Sequence, residues 1–195
     1  MTMKKIFALF LSTFLFASLF AQQSVTTFLG IPVDGTKLSM RQKLINKGFR
    51  YVPSSDCLEG EFNGRNVLLY IVTNRDKVYR IAVVDNDFSD ETNIRIRFNN
   101  LYRQFMNNGK YILNPMGEVG ELPEDEDIAY NISIKNKRYE RSFYQVSKGE
   151  GISDSVDKSV WFKIGMPESR EVYRDKFLIF IYYDNERNAA HGEDL

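Results

Sequence analysis

Residues 28–84 read FLGIPVDGTKLSMRQKLINKGFRYVPSSDCLEGEFNGRNVLLYIVTNRDKVYRIAVV, and this stretch decides the fold. Its pattern is a short helix feeding three antiparallel strands. Ser39 and Gln42 have the spacing of a capping box, with Thr36 an alternative cap one turn earlier. Met40, Leu44 and Ile45 then share a helical face, and Gly48 stands where a left-handed C-cap wants glycine, with Phe49 free to fold back. Asn63-Gly64 between two apolar runs is a strong hairpin signal, because a type I′ turn needs positive φ at both central residues. The runs 58–62, 65–73 and 78–84 are therefore strands. In the middle one, Val67, Leu69 and Ile71 alternate with Leu68, Tyr70 and Val72, so both faces are apolar and both are expected to be covered.

The chain before this stretch is an address. Lys4 and Lys5 precede an apolar run over 6–20, and Ala21 offers a small residue ahead of Gln22-Gln23. Residues 1–21 read as a secretory signal peptide, too short and wrongly flanked for a bilayer span. Removing 21 of 195 residues leaves 174, enough for a single domain with its own core, and 24 basic against 26 acidic residues once the two lysines go, a charge of −2. A near-neutral chain without a basic stripe argues against nucleic acid as a partner, and no later run is long and apolar enough to be a transmembrane anchor.

Beyond residue 84, Ile94, Phe98, Leu101, Tyr102 and Phe105 recur with helical spacing, capped by Ser89 or Asp90, with Arg95, Arg97 and Arg103 read as a solvated face. Residues 110–127 read as a loose segment ending in an exposed acidic loop. Alternation of Ile128, Tyr130, Ile132 and Ile134 predicts a strand over 128–134, with further strands over 139–146, 160–164 and 177–183 and a polar loop over 147–159. The expected architecture is α+β: an antiparallel sheet of about seven strands with two helices packed on it. It allows two helix-plus-strands halves, 22–89 and 90–187, before a polar tail at 188–195. Fifteen Phe and eleven Tyr suit an aromatic-rich β core.

The opening 28–35, the short helix, Lys47-Gly48-Phe49 and Leu58-Glu59-Gly60-Glu61-Phe62-Asn63-Gly64 resemble a group of exported, periplasmic proteins of Gram-negative gut-type anaerobes. The tail from Tyr183 to Leu195 is similar in style to their endings. That resemblance implies export and brings no activity or site residues. A helix-then-strands unit occurring twice is also similar in layout to the β-lactamase inhibitor protein fold, and fold alone transmits no function.

Chemistry is sparse. A single cysteine, Cys57, has no disulfide partner, and the single histidine, His191, lies near the C-terminus, so a nucleophile–base pair is not indicated. Glu124-Asp125-Glu126-Asp127 lacks the alternate-residue spacing and glycine of an EF-hand loop. No catalytic, cofactor or metal residues are therefore assigned. The expected role is a non-catalytic binding module of the cell envelope, periplasmic or secreted, whose partner is another envelope or secreted protein. Its candidate surface is Tyr130, Tyr144, Trp161 and Tyr182. The alternatives are a secreted carboxylate-dependent hydrolase using the acids Asp85, Asp87 and Asp90, and a lipid-handling or envelope-assembly factor with an apolar cavity.

Overall fold

The computed structural model describes residues 25–147, 149–167 and 175–190. The expected signal peptide, 1–21, and the residues beyond 190, His191 included, lie outside the described residues. A small hairpin, β1 (Thr27–Phe28) and β2 (Ile31–Pro32), leads into helix α1 (Lys37–Ile45). Four strands follow: β3 (Arg50–Val52), β4 (Cys57–Phe62), β5 (Arg65–Asn74) and β6 (Lys77–Asp85). Helix α2 (Glu91–Met106) precedes β7 (Tyr111–Leu113), and a short helix α3 (Ile128–Ser133) precedes β8 (Glu140–Gln145), β9 (Lys158–Gly165) and β10 (Leu178–Asn185). The fold is α+β: the described residues form an eight-stranded antiparallel sheet in the order β3-β4-β5-β6-β10-β9-β8-β7 and three α-helices, one strand and one helix beyond expectation.

Local chemistry explains the elements. Thr36, one turn ahead of the expected Ser39 box, caps α1 by accepting from the Ser39 N–H at 3.3 Å. Met40 and Leu44 are buried while Ile45 is not. Gly48 has φ 101°, and the Phe49 N–H turns back to the Leu44 carbonyl at 3.2 Å. The Phe49 ring then lies against β4, where a Cβ on Gly60 would sit 2.6 Å from it, so glycine is what permits the approach. Asn63 and Gly64 take φ 52° and 69°, the type I′ turn joining β4 to β5. Asp90 caps α2, accepting from the Asn93 N–H at 2.8 Å.

Helices α1 and α2 cover the same face of the sheet. Val67, Leu69 and Ile71 of β5, Ile81 and Val83 of β6, Ile181 of β10 and Phe162 of β9 form its floor, all buried. From α2, Phe98 meets Phe162 edge-on at 4.9 Å, and Phe105 stacks on Phe143 at 4.8 Å.

Several expectations are corrected. Residues 128–134 do not extend as a strand. Asp127 accepts from the Tyr130 N–H at 2.9 Å and starts α3, and Ile128 and Ile132, four apart, suit a helical face as well as an alternating one. Arg97 is not solvated. Lying between the buried Ile94, Phe98 and Leu101, it is itself buried with both Nε and Nη2 3.3 Å from the Asp85 carboxylate. The acidic stretch is strapped down rather than free. Glu118 pairs with buried Arg141 at 2.9 Å, Asn99 holds both backbone groups of buried Leu122, and Glu126 accepts from Lys137 at 2.7 Å and from Tyr139. In the loop before β9, Ser155 is buried and Glu150 pairs with Lys158; Cys57 is buried as well.

Candidate interaction face

Among the described residues no helix lies on the other face of the sheet, so the second cover expected for β5 does not come from a described helix. Register places its side chains in cross-strand rows. One row runs Tyr70, Ala82, Tyr182, Trp161, Ser142 across β5, β6, β10, β9 and β8. Its neighbours run Leu68, Val84, Phe180, Lys163, Glu140 and Val72, Arg80, Asp184, Ser159, Tyr144. Leu68, Tyr70 and Val72 are half-buried, as are Trp161, Phe180 and Tyr182. These side chains cover one another instead of being covered.

The geometry is specific. Trp161 and Tyr182 stack at 4.2 Å with 26° between planes, and Phe180 lies parallel to Tyr182 at 6.4 Å. Beside them a carboxylate is almost wholly buried. Asp184 accepts two hydrogen bonds from Arg80, at 2.6 and 2.7 Å, and a third from the Trp161 indole N–H at 2.9 Å. Arg80 in turn lies 4.7 Å from the Tyr182 ring centre. The hydrogen bonds to Asp184 raise the Arg80 pKa further above its already high value, and burial raises that of the Tyr182 hydroxyl. Lys163 sits 5.7 to 5.8 Å from the rings of Phe180, Trp161 and Tyr182. The centre is thus aromatic and internally charge-balanced, with one carboxylate locking the indole and the guanidinium in place.

Of the four aromatic residues singled out from sequence, Tyr144, Trp161 and Tyr182 share this face. Tyr130 does not: it is on α3, 48% exposed, with Lys135 5.2 Å from its ring. Tyr70, Phe180, Arg80 and Asp184 were missed, although the outward positions of β5 already carried Tyr70. Among the acids near the end of β6, Asp85 is engaged by Arg97 and Asp90 by the first turn of α2. Among the described residues, no group of three or more His, Cys, Asp or Glu is placed to hold a metal ion, and no helix is long and apolar enough to cross a membrane.

Fold and face together define an α+β protein with helices on one side of an antiparallel sheet and an open aromatic surface on the other. Comparison with protein-family models, curated proteins and solved structures finds no match for the chain.

Proposed function

We propose that the protein is an exported, non-catalytic binding module, periplasmic or secreted, that docks a partner protein on the open face of its sheet. One observation carries this reading: Trp161, Tyr182 and Phe180 lie half-buried on a sheet face over which, among the described residues, no helix packs. Trp, Tyr and Arg are the residues that dominate binding energy at interfaces, and rigid rings lose little entropy on contact. The patch spans four strands, about 14 Å at the usual interstrand spacing, which suits a hot-spot centre; all eight strands give about 33 Å, enough for a standard interface. Because Arg80 and Asp184 neutralise each other and Lys163 stands opposite Glu140 in the register, the occupant that fits is a protein surface offering an apolar loop of low charge.

The test is site-specific photo-crosslinking in the native envelope. A photoreactive phenylalanine at position 163 is expected to give one defined adduct, and the same probe at Ile96, exposed on α2, to give none. Trp161→Ala is expected to weaken the adduct at least tenfold while the protein stays folded by circular dichroism. Equal adducts from both positions, or none from position 163, would overturn the reading.

A further inference from the structure

A second concavity lies on the helix side of the sheet, remote from the aromatic face and independent of the reading above. It is a cleft of about 680 Å³ between the C-terminal end of α2, the β4–β5 turn and the β1–β2 hairpin. That volume falls in the range of small-molecule sites. Its apolar wall includes the half-buried rings of Phe62 and Tyr111, and its rim carries Glu61, Asn63, Gln104 and Asn108.

The wall is fixed in advance. Buried Gln145 accepts from the Thr27 N–H at 2.6 Å and donates to the Thr27 carbonyl at 3.0 Å and the Tyr111 hydroxyl at 3.4 Å, tying the hairpin to the ring. The hairpin tip overhanging the cleft is unusual. Leu29 has φ 51° and is 39% exposed, an apolar side chain held in the left-handed region where Asn or Gly would be easier. Strain of this kind persists where a position has a task.

The rim offers both donors and acceptors. Asn63 donates to the Gln104 carbonyl at 2.9 Å, which leaves the Asn63 oxygen and the Gln104 amide hydrogens for a ligand. Asn108 accepts from the Lys110 N–H at 3.1 Å and keeps its own amide hydrogens. One carboxylate, Glu61, and one ammonium, Lys110, offset each other, so an anionic ligand is not favoured. An acyl chain would strand the amides unpaired. Hydroxyls that donate and accept, set on an apolar C–H face, match amides above aromatic rings. We propose that this cleft binds a neutral saccharide of about one or two pyranose units.

The test is an NMR titration of the purified exported protein with methyl β-glucopyranoside, methyl β-galactopyranoside, N-acetylglucosamine, cellobiose, lactose and chitobiose, with inorganic phosphate as the anionic arm. At least one saccharide is expected to shift the side-chain amides of Gln104 and Asn63 and the Leu29 backbone saturably. Gln104→Ala and Asn108→Ala, both at exposed positions, are expected to weaken it tenfold or more with the fold intact, and Lys110→Ala to change it less than twofold. The proposal is overturned by the absence of saturable shifts with every saccharide at about 50 mM, well above the millimolar constants of weak sites. It is equally overturned by saccharide binding indifferent to both amide variants, by shifts confined to Trp161 and Tyr182, or by phosphate occupying the cleft and losing it with Lys110→Ala.

Discussion

Replacing Asp184 by Asn tests whether the open face is organised around one buried charge. The carboxylate side chain is 3% exposed and Arg80 28%, and three donors converge on it: two from Arg80 and the Trp161 indole. An amide keeps one acceptor oxygen and turns a donor toward the other position, so at least one of these bonds becomes a donor–donor clash. Hydrogen bonds to charged groups contribute about 1.5–3 kcal/mol each, and residual solvation of Arg80 favours the lower half of that range, so the expected loss is about 2 kcal/mol. For a chain of this size that corresponds to a fall in Tm of about 4–8 °C. Urea unfolding followed by far-UV circular dichroism measures the loss, and the near-UV bands of the only tryptophan report whether the indole loses its fixed orientation. Arg80→Met and the double variant complete a cycle whose expected coupling is about 1–3 kcal/mol. A coupling within about 0.5 kcal/mol of zero, or unchanged near-UV bands in Asp184→Asn, would refute the claim that this pair positions the aromatic surface.

Three other perturbations probe the frame. Arg97→Met leaves Asp85 buried without its partner and is expected to cost about 3–5 kcal/mol in urea unfolding, most of it restored by adding Asp85→Leu. Gly60→Ala forces a methyl to 2.6 Å from the Phe49 ring and should cost about 1–3 kcal/mol by the same assay, whereas a neutral result would mean that the α1–β4 contact yields freely. Glu126 has its pKa held below the ordinary value by the hydrogen bond from Lys137 and then that from Tyr139. Its stabilisation is therefore complete above the unfolded glutamate pKa, about 4.3, and is lost as pH falls through the depressed folded value. Glu126→Gln should flatten the acid limb of the stability–pH curve, and a limb of unchanged slope would remove Glu126 from its causes.

What was legible in the sequence follows from how local each signal is. Asn63-Gly64 and Gly48 state backbone conformations by themselves, and the α2 stripe from Ile94 to Phe105 is long enough for its period to be unmistakable. Six residues are not: in α3 the Asp127 cap decides against an alternation that is equally visible. The Leu29-Gly30 turn of the first hairpin is hidden in the sequence because leucine is no turn former. Charge argues for Arg97 on the solvated face, whereas its i, i+3 relation to Ile94 puts it beside the buried stripe. The open face was legible only in pieces. Two apolar sides on β5 suggested two covering layers, but the second side continues across β6 into the stacked pair Tyr182 and Trp161 of β10 and β9. That pairing rests on the β9–β10 register, which no single stretch of chain announces.

The strand order has a further consequence, for the time before the sheet is complete. β6 lies in the middle of the sheet only because β10, about a hundred residues later in the chain, pairs with it. Until that last strand arrives, β3 to β6 can assemble as a local meander whose rim is β6, nine residues rich in Val and Ile with unpaired backbone groups. The finished molecule ends at β3 and β7, three residues each, which leaves little template for another chain. The growing one presents a long, sticky rim instead. Edge-to-edge aggregation of this protein is therefore expected during synthesis more than in the folded state, and variants that delay β10 should be recovered as insoluble chain even where their folded stability is barely changed.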